Sequence, residues 1–350
     1  MQEILSKSGS GLITVLICVC AFGAMVFVHE FGHFITAKLS GIKVNEFAIG
    51  MGPVLFKKQR KETQYALRLL PIGGYVSMEG EEEESEQMGS FTRAPVGSRI
   101  LVTVAGACMN ILLGFVILLV IISASDNIVS RQIAKFYPNA ATEAAGLKVG
   151  DTILAANGRR CFIDNDILYE FARTQNATVD LTVMRDGKKV ELDGVKFDTK
   201  EVDGQAYLVI DFVVYATPKT FSSVIRESVN WTLSYGRLVI LSLFDLVTGH
   251  VQVNSLSGPV GIVSVINDTA SYGWQSVLQL LALLTINMGI FNLVPFPALD
   301  GGRLFLLIIE AIRRKPIAQK YEIAINAVGF TLLMGLMVFV TFNDITKLFK

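Results

Sequence analysis

His29-Glu30-Phe31-Gly32-His33 lies inside an apolar run that begins near Gly11 and ends near Ser40. Two histidines four positions apart on a helix fall within about 40° of each other, so their rings can share one Zn²⁺ while the intervening glutamate reaches its water as general base. Ionisable groups at membrane depth are costly unless they face a protein interior or a wet cavity, so this placement marks a functional site. The run is long and lacks a small-residue cleavage site, which reads as a retained helix and not as a signal peptide.

The 350 residues are 51% hydrophobic and 18% charged, with a mean hydropathy of +0.49. That is too apolar for an ordinary soluble chain and too charged for a bare helix bundle, so membrane and soluble parts are both expected. Lys+Arg and Asp+Glu are each 31, a balance that offers no field for nucleic acid. The four cysteines form no spaced framework for disulfides or a thiolate zinc site, which makes the three histidines the scarce resource.

Hydropathy predicts four crossings: Gly11 to Ser40, Ser98 to Ser123, Trp274 to Val294 and Ala324 to Phe342. The stretch Phe221 to Leu246 carries Arg226, Glu227, Arg237 and Asp245 and reads as an interfacial amphipathic helix. Lys43, Lys57, Lys58, Arg60, Lys61 and Arg68 follow the first span, with Arg93 and Arg99 before the second; Arg313, Arg314, Lys315 and Lys320 join the third to the fourth. The positive-inside rule makes both loops cytoplasmic, puts the segment from Asp126 to about Ser257 outside, and sets the pentad toward the cytoplasmic side. The acidic run Glu79 to Glu86 weighs little in that rule and reads as a solvated loop.

Between Lys43 and Met78 apolar and polar residues alternate around Gly50, Gly52, Pro53 and Gly73-Gly74, the pattern of a small membrane-associated hairpin sheet. An open edge there would hold an extended substrate through its main chain, whereas a closed one would merely pack. From about Ile128 to Lys200 short alternating runs and turn signals predict a compact β-rich module. Within it Pro138 to Gly158 resembles a PDZ domain, with Ala145-Gly146-Leu147, Gly150-Asp151 and Asn157-Gly158 at the familiar spacing. The expected division is thus a membrane core over 1–125, a PDZ-like domain over 126–200, a linker with the interfacial helix over 201–273, and a second membrane core over 274–350.

Two histidines and a water leave a tetrahedral zinc one protein ligand short. His250 and Asp245 follow the interfacial segment on the external side, whereas Asp300 follows a span broken at Pro295 and Pro297 on the cytoplasmic side. Depth selects Asp300. Prolines that free backbone groups in a membrane are tolerated where protein lines a polar cavity, and Gly301-Gly302 permits close backbone approach.

Taken together, His29 to His33 in a first span, Leu299-Asp300-Gly301 after a third and a PDZ-like module between them resemble the site-2 protease family. The likeness is closest to the bacterial members that release envelope-stress sigma factors by cutting membrane anti-sigma proteins. The resemblance implies a polytopic α-helical zinc metalloprotease of the bacterial plasma membrane, with His29, His33 and Asp300 on Zn²⁺ and Glu30 as base. Asn292 matches the family's substrate-backbone asparagine, and Asn110, Gly50 and Gly52 complete the substrate-binding set it suggests. Gly258-Pro259-Val260-Gly261-Ile262 matches another shared stretch.

It further implies single-span substrates of the anti-sigma type or remnant signal peptides, a site-1 protease that trims the substrate first, and an extracytoplasmic PDZ-like gate. Two departures stand out: Gly106-Ala107-Cys108-Met109-Asn110 lacks the proline usual in the second-span motif, and one PDZ-like module stands where some members have two. Competing classes are a PDZ-containing membrane adaptor with a structural or inactive metal site, and a metalloenzyme acting on lipid or small peptide-like molecules.

Overall fold

A computed structural model describes residues 2–81, 85–174, 177–202, 205–249 and 258–348. The chain divides into two compact units: residues 1–117 with 238–350, and residues 118–237.

The first unit begins with α1 (Gln2–Leu39), followed by β1 (Val44–Arg60), β2 (Thr63–Met78) and the start of α2 (Val96–Ala124). It resumes in the last part of α5 (Phe221–Val247) and continues through α6 (Pro259–Ala270), α7 (Trp274–Leu293), α8 (Asp300–Arg313) and α9 (Gln319–Leu348). Among the described residues four helices are long and apolar enough to cross a membrane, over Ile17–Leu39, Val96–Ala124, Trp274–Leu293 and Lys320–Lys347. These are the four expected spans, and α5 is not among them. Two helices of this unit went unpredicted. α8 starts at Asp300 itself, immediately after the Pro295-Pro297 turn, and α6 opens with Pro259 in its first turn.

Small residues let the membrane helices approach closely. A Cβ on Gly289 of α7 would stand 2.8 Å from the Ala107 carbonyl of α2, one on Gly114 of α2 would stand 2.4 Å from Ile286 of α7, and one on Gly32 of α1 would stand 2.5 Å from the Ala105 carbonyl. The Gly258 to Ile262 stretch has its own explanation. The amides of Gly258 and Gly261 both donate to Asp344 Oδ2 at 2.8 Å, so a buried carboxylate on α9 caps the free N–H groups of α6.

The hairpin folds back on itself. Phe47 faces Val76 on one side and Tyr65 on the other, Ile49 likewise faces Gly74 and Leu67, and residues 56–60 pair with 63–67. Segment 44–49 is therefore interior, while 54–60 and 74–78 form the two rims. Gly50, at φ 84°, sits where the interior segment gives way to the first rim, and a Cβ there would meet the Leu70 carbonyl at 2.5 Å.

The second unit holds the remaining strands: β3 (Ile128–Phe136), β4 (Thr152–Ala156), β5 (Arg159–Arg160), β6 (Thr178–Arg185), β7 (Lys188–Lys196), β8 (Thr199–Val202), β9 (Gln205–Leu208) and β10 (Phe212–Thr217). They are joined by α3 (Ala141–Ala144) and α4 (Asp164–Arg173). The main sheet runs β10-β3-β4-β6-β7 with β5 on β4, and β8 pairs with β9. It encloses a core that includes Ile133, Leu147, Ile153, Ile167, Phe171, Val183 and Phe197. Cys161 lies in that core, where burial pushes its thiol up to about 12, so it serves as an inert apolar filler.

Two features lie beyond the expected module. β10 pairs with β3, carrying the sheet on to Thr217, past residue 200; the β8–β9 hairpin between them breaks the alternation that a sequence reading follows. The early turns of α5 also belong to this unit. Arg237 ion-pairs with Asp166 at 2.8 Å and with Glu170 at 3.5 Å, and Ser234 donates to Asp166 at 2.6 Å. These two carboxylates of α4 are buried, and the α5 guanidinium compensates them.

The α2–α7 seam gives the first prediction. Gly289→Val should destabilise the detergent-purified protein by about 1–3 kcal/mol through overpacking against backbone, read as a lower melting temperature; a wild-type melting curve would contradict the seam.

Candidate metal centre and active site

His29 and His33 project from one face of α1, one turn apart, and both are buried. His33 Nδ1 donates to the Val102 carbonyl of α2 at 2.8 Å. That bond fixes the tautomer and leaves Nε2 with a free lone pair. The two Nε2 atoms stand 3.2 Å apart. Asp300, the first residue of α8, brings Oδ2 to 3.1 Å from His29 Nε2 and 3.2 Å from His33 Nε2. The Pro295-Phe296-Pro297 turn and the two glycines make this possible, because a Cβ on Gly301 would sit 2.1 Å from the Val294 carbonyl and one on Gly302 2.4 Å from that of Phe296.

Three lone-pair atoms packed this closely repel one another unless a cation lies among them. Asp300 Oδ2 is buried and has no hydrogen-bond donor. Ligand bonds of about 2.0–2.1 Å in tetrahedral array would give donor separations of roughly 3.3 Å, close to those observed. The residues therefore fit a zinc ion. Among the described residues this is the one cluster of three metal-ligating side chains, which leaves a fourth position open. Asp245 is not part of it, and His250 lies outside the described residues.

α2 presses directly on the pair. A Cβ on Gly106 would stand 2.4 Å from His33 Nε2 and 2.8 Å from His29 Cε1, so only glycine leaves room for the rings. One turn on, Asn110 is fully buried with its amide 3.4 Å from His29 Nδ1. Its Oδ1 is left without a partner when Nδ2 faces the ring. The reversed amide resolves both problems: Oδ1 accepts the Nδ1–H bond, and Nε2 of His29 keeps its lone pair for the metal. Asn110, expected to contact substrate, is thus buried against an imidazole and does not line the cavity described below.

Glu30 is half-buried and lines a cavity of about 160 Å³ together with His29, His33, Tyr75, Val76, Met78, Glu81, Val102, Thr103, Asp300 and Arg303. The other expected substrate residues stand outside its lining. Asn292 is half-buried in the last turn of α7, and Gly50 and Gly52 shape the hairpin at φ 84° and 83°. The hairpin contributes Tyr75, Val76 and Met78 of its second rim instead. Sequence reasoning missed Gly106, Glu81 and Arg303. The four-residue step from Gly106 to Asn110, and a lone arginine one turn past Asp300, were the available signals.

The pattern of peptidase family M50 matches residues 17–336. The chain belongs to that family. It is a zinc metalloprotease of the site-2 type. A Clostridium perfringens protein named as a zinc metalloprotease is 39% identical, covering 95% of this chain and 98% of its own length. The regulator of sigma-W protease RasP of Bacillus subtilis is 32% identical, with 96% of this chain and 99% of its own length covered. The zinc metalloprotease RasP of Shouchella clausii is 33% identical, with 96% and 100% covered.

The buried asparagine yields a second prediction. Asn110→Ala should weaken zinc retention about 10- to 100-fold in a chelator competition, as loss of an outer-shell ligand contact does; unaltered retention would remove Asn110 from the metal centre.

Proposed function

We propose that this M50 peptidase hydrolyses peptide bonds within the membrane segments of single-span proteins, with His29, His33 and Asp300 as zinc ligands and Glu30 as general base. The convergence of three ligand atoms from α1 and α8, with a glutamate lining the same cavity, carries the reading. Bound there, zinc supplies Lewis acidity to the scissile carbonyl and lowers the pKa of the attacking water. Glu30 takes a proton from that water at its carboxylate and returns it to the leaving nitrogen. Val102 and Asn110 hold the two imidazoles in the tautomers that donate through Nε2.

The substrate must present unwound backbone to the site, since the carbonyls of a helix are already hydrogen-bonded. Segment 74–78 is a rim of the hairpin sheet, its outer side has no strand partner among the described residues, and Val76 and Met78 face the cavity. Strand addition at this rim would replace the hydrogen bonds a substrate helix gives up. Asn292, in the last turn of α7, is the further substrate contact the family likeness suggests.

The adaptor alternative is disfavoured by the open fourth position, because a structural zinc site is closed by four protein ligands. The substrates we favour are anti-sigma proteins already trimmed outside by a site-1 protease, or remnant signal peptides, in keeping with a relative named a regulator of sigma-W protease. The basic loops favour a plasma-membrane protein with its active site toward the cytoplasm and a PDZ-like module outside, where it would act as a gate against untrimmed substrates.

Glu30→Gln should keep stoichiometric zinc by metal analysis and abolish cleavage of a reporter single-span substrate; turnover at the wild-type rate would refute the base. Excision of 128–217 should allow untrimmed substrates to be cut, and a uniform fall in cleavage of trimmed and untrimmed forms would instead make the module a docking platform.

A further inference from the structure

Along a rim strand, successive amides point alternately into the sheet and away from it. Glu79 N–H points inward, donating to the Lys43 carbonyl at 2.9 Å, so the preceding amide, that of Met78, points outward beside the cavity. Met78 N–H donates to Glu81 Oε2 at 3.1 Å. The other oxygen of that carboxylate is ion-paired with Arg303, three residues past Asp300 on α8. Arg303 is itself fixed: its Nε pairs with Glu322 of α9 at 3.1 Å, its Nη2 donates to the Glu81 carbonyl at 3.3 Å, and its guanidinium lies 4.6 Å from the centre of the Phe91 ring. Glu81 and Arg303 line the cavity that holds Glu30, and also a groove running from Asp300 along α9 past Asn326 and Phe330.

A carboxylate oxygen on an outward amide occupies the position that the carbonyl of an added strand would take. We propose that Met78 N–H is a subsite for a substrate backbone carbonyl and that Glu81, anchored by Arg303, is its resident competitor. The inference rests on the strand-addition reading of the rim given above. Displacement leaves no bare charge, because Glu81 can give up Met78 while keeping Arg303. A helical substrate has its carbonyls already hydrogen-bonded and has nothing to offer Met78. An unwound backbone does. The competitor therefore selects for extended chain without reading side chains, and it stands within the same cavity as the general base.

The test uses the full chain in membrane vesicles with a reporter single-span substrate. Removing a competing charged acceptor should lower KM in Glu81→Ala at least about threefold. Glu81→Gln, which keeps an acceptor for Met78 but loses the ion pair, should fall between the two. In a Glu30→Gln background, Glu81→Ala should also raise the yield of substrate captured by a photo-crosslinker at Val76. An unchanged or raised KM in Glu81→Ala with zinc retained overturns the proposal. So does loss of zinc or of folded protein in both variants, which would make Glu81 a structural brace. If the wild-type chain cleaves nothing, the proteolytic reading fails by itself, and the crosslinking yield still decides the subsite.

Discussion

Mutual repulsion among two imidazole nitrogens and a carboxylate oxygen, each about 3 Å from the others, is the constraint around which the first unit is organised. Such a cluster holds only if every donor is aimed by something other than the metal. His33 is aimed by a backbone carbonyl of α2, His29 by a buried amide of the same helix, and Asp300 by a turn that two prolines and two glycines force into one shape. Close helix packing is thus a condition of the chemistry. Gly32, Gly106 and Gly289 remove the side chains that would hold α1 and α7 away from α2, and Gly106 in addition vacates the volume the rings fill.

The proposed function also sets a demand on the substrate. In the proposed reaction a membrane-helix substrate must unwind, and that cost would have to be met by main-chain hydrogen bonds. The folded-back hairpin is placed to supply them under that proposal, because its second rim passes beside Glu30 and not out in the loop. A Cβ on Gly74 would lie 3.3 Å from Glu30 Cγ, so the glycine that starts this rim also brings the rim against Glu30, the proposed general base.

The parts that a one-dimensional pattern encodes were legible in the sequence. Four hydropathy runs gave the four spans, the i, i+4 histidines gave two donors on one face, and membrane depth with the double proline pointed to Asp300. What escaped depends on contacts between distant segments. Nothing in Gly106 announces that imidazoles fill its missing side chain, and Asn110 reads as a polar residue to be offered to substrate until its burial against His29 is known. Arg237 looks like a head-group anchor on an amphipathic helix, and only the buried Asp166 and Glu170 reveal its partner. β10 escaped because the β8–β9 hairpin interrupts the period-2 pattern before it resumes.

Arg303 shows how one side chain can join these levels. It stands one turn after Asp300, so its backbone is fixed by the turn that fixes Asp300. Its guanidinium ties Glu81 beside the rim strand to Glu322 on the last span. Movement of α9 relative to α8 would disturb the Arg303–Glu322 pair, and movement of the rim would disturb the Arg303–Glu81 pair. Both disturbances reach the helix that carries Asp300 at its first residue. Arg303, which anchors Glu81, and Asp300, the proposed third ligand, thus share one short helix, so a displacement of Glu81 that moved Arg303 would be felt at the proposed metal site.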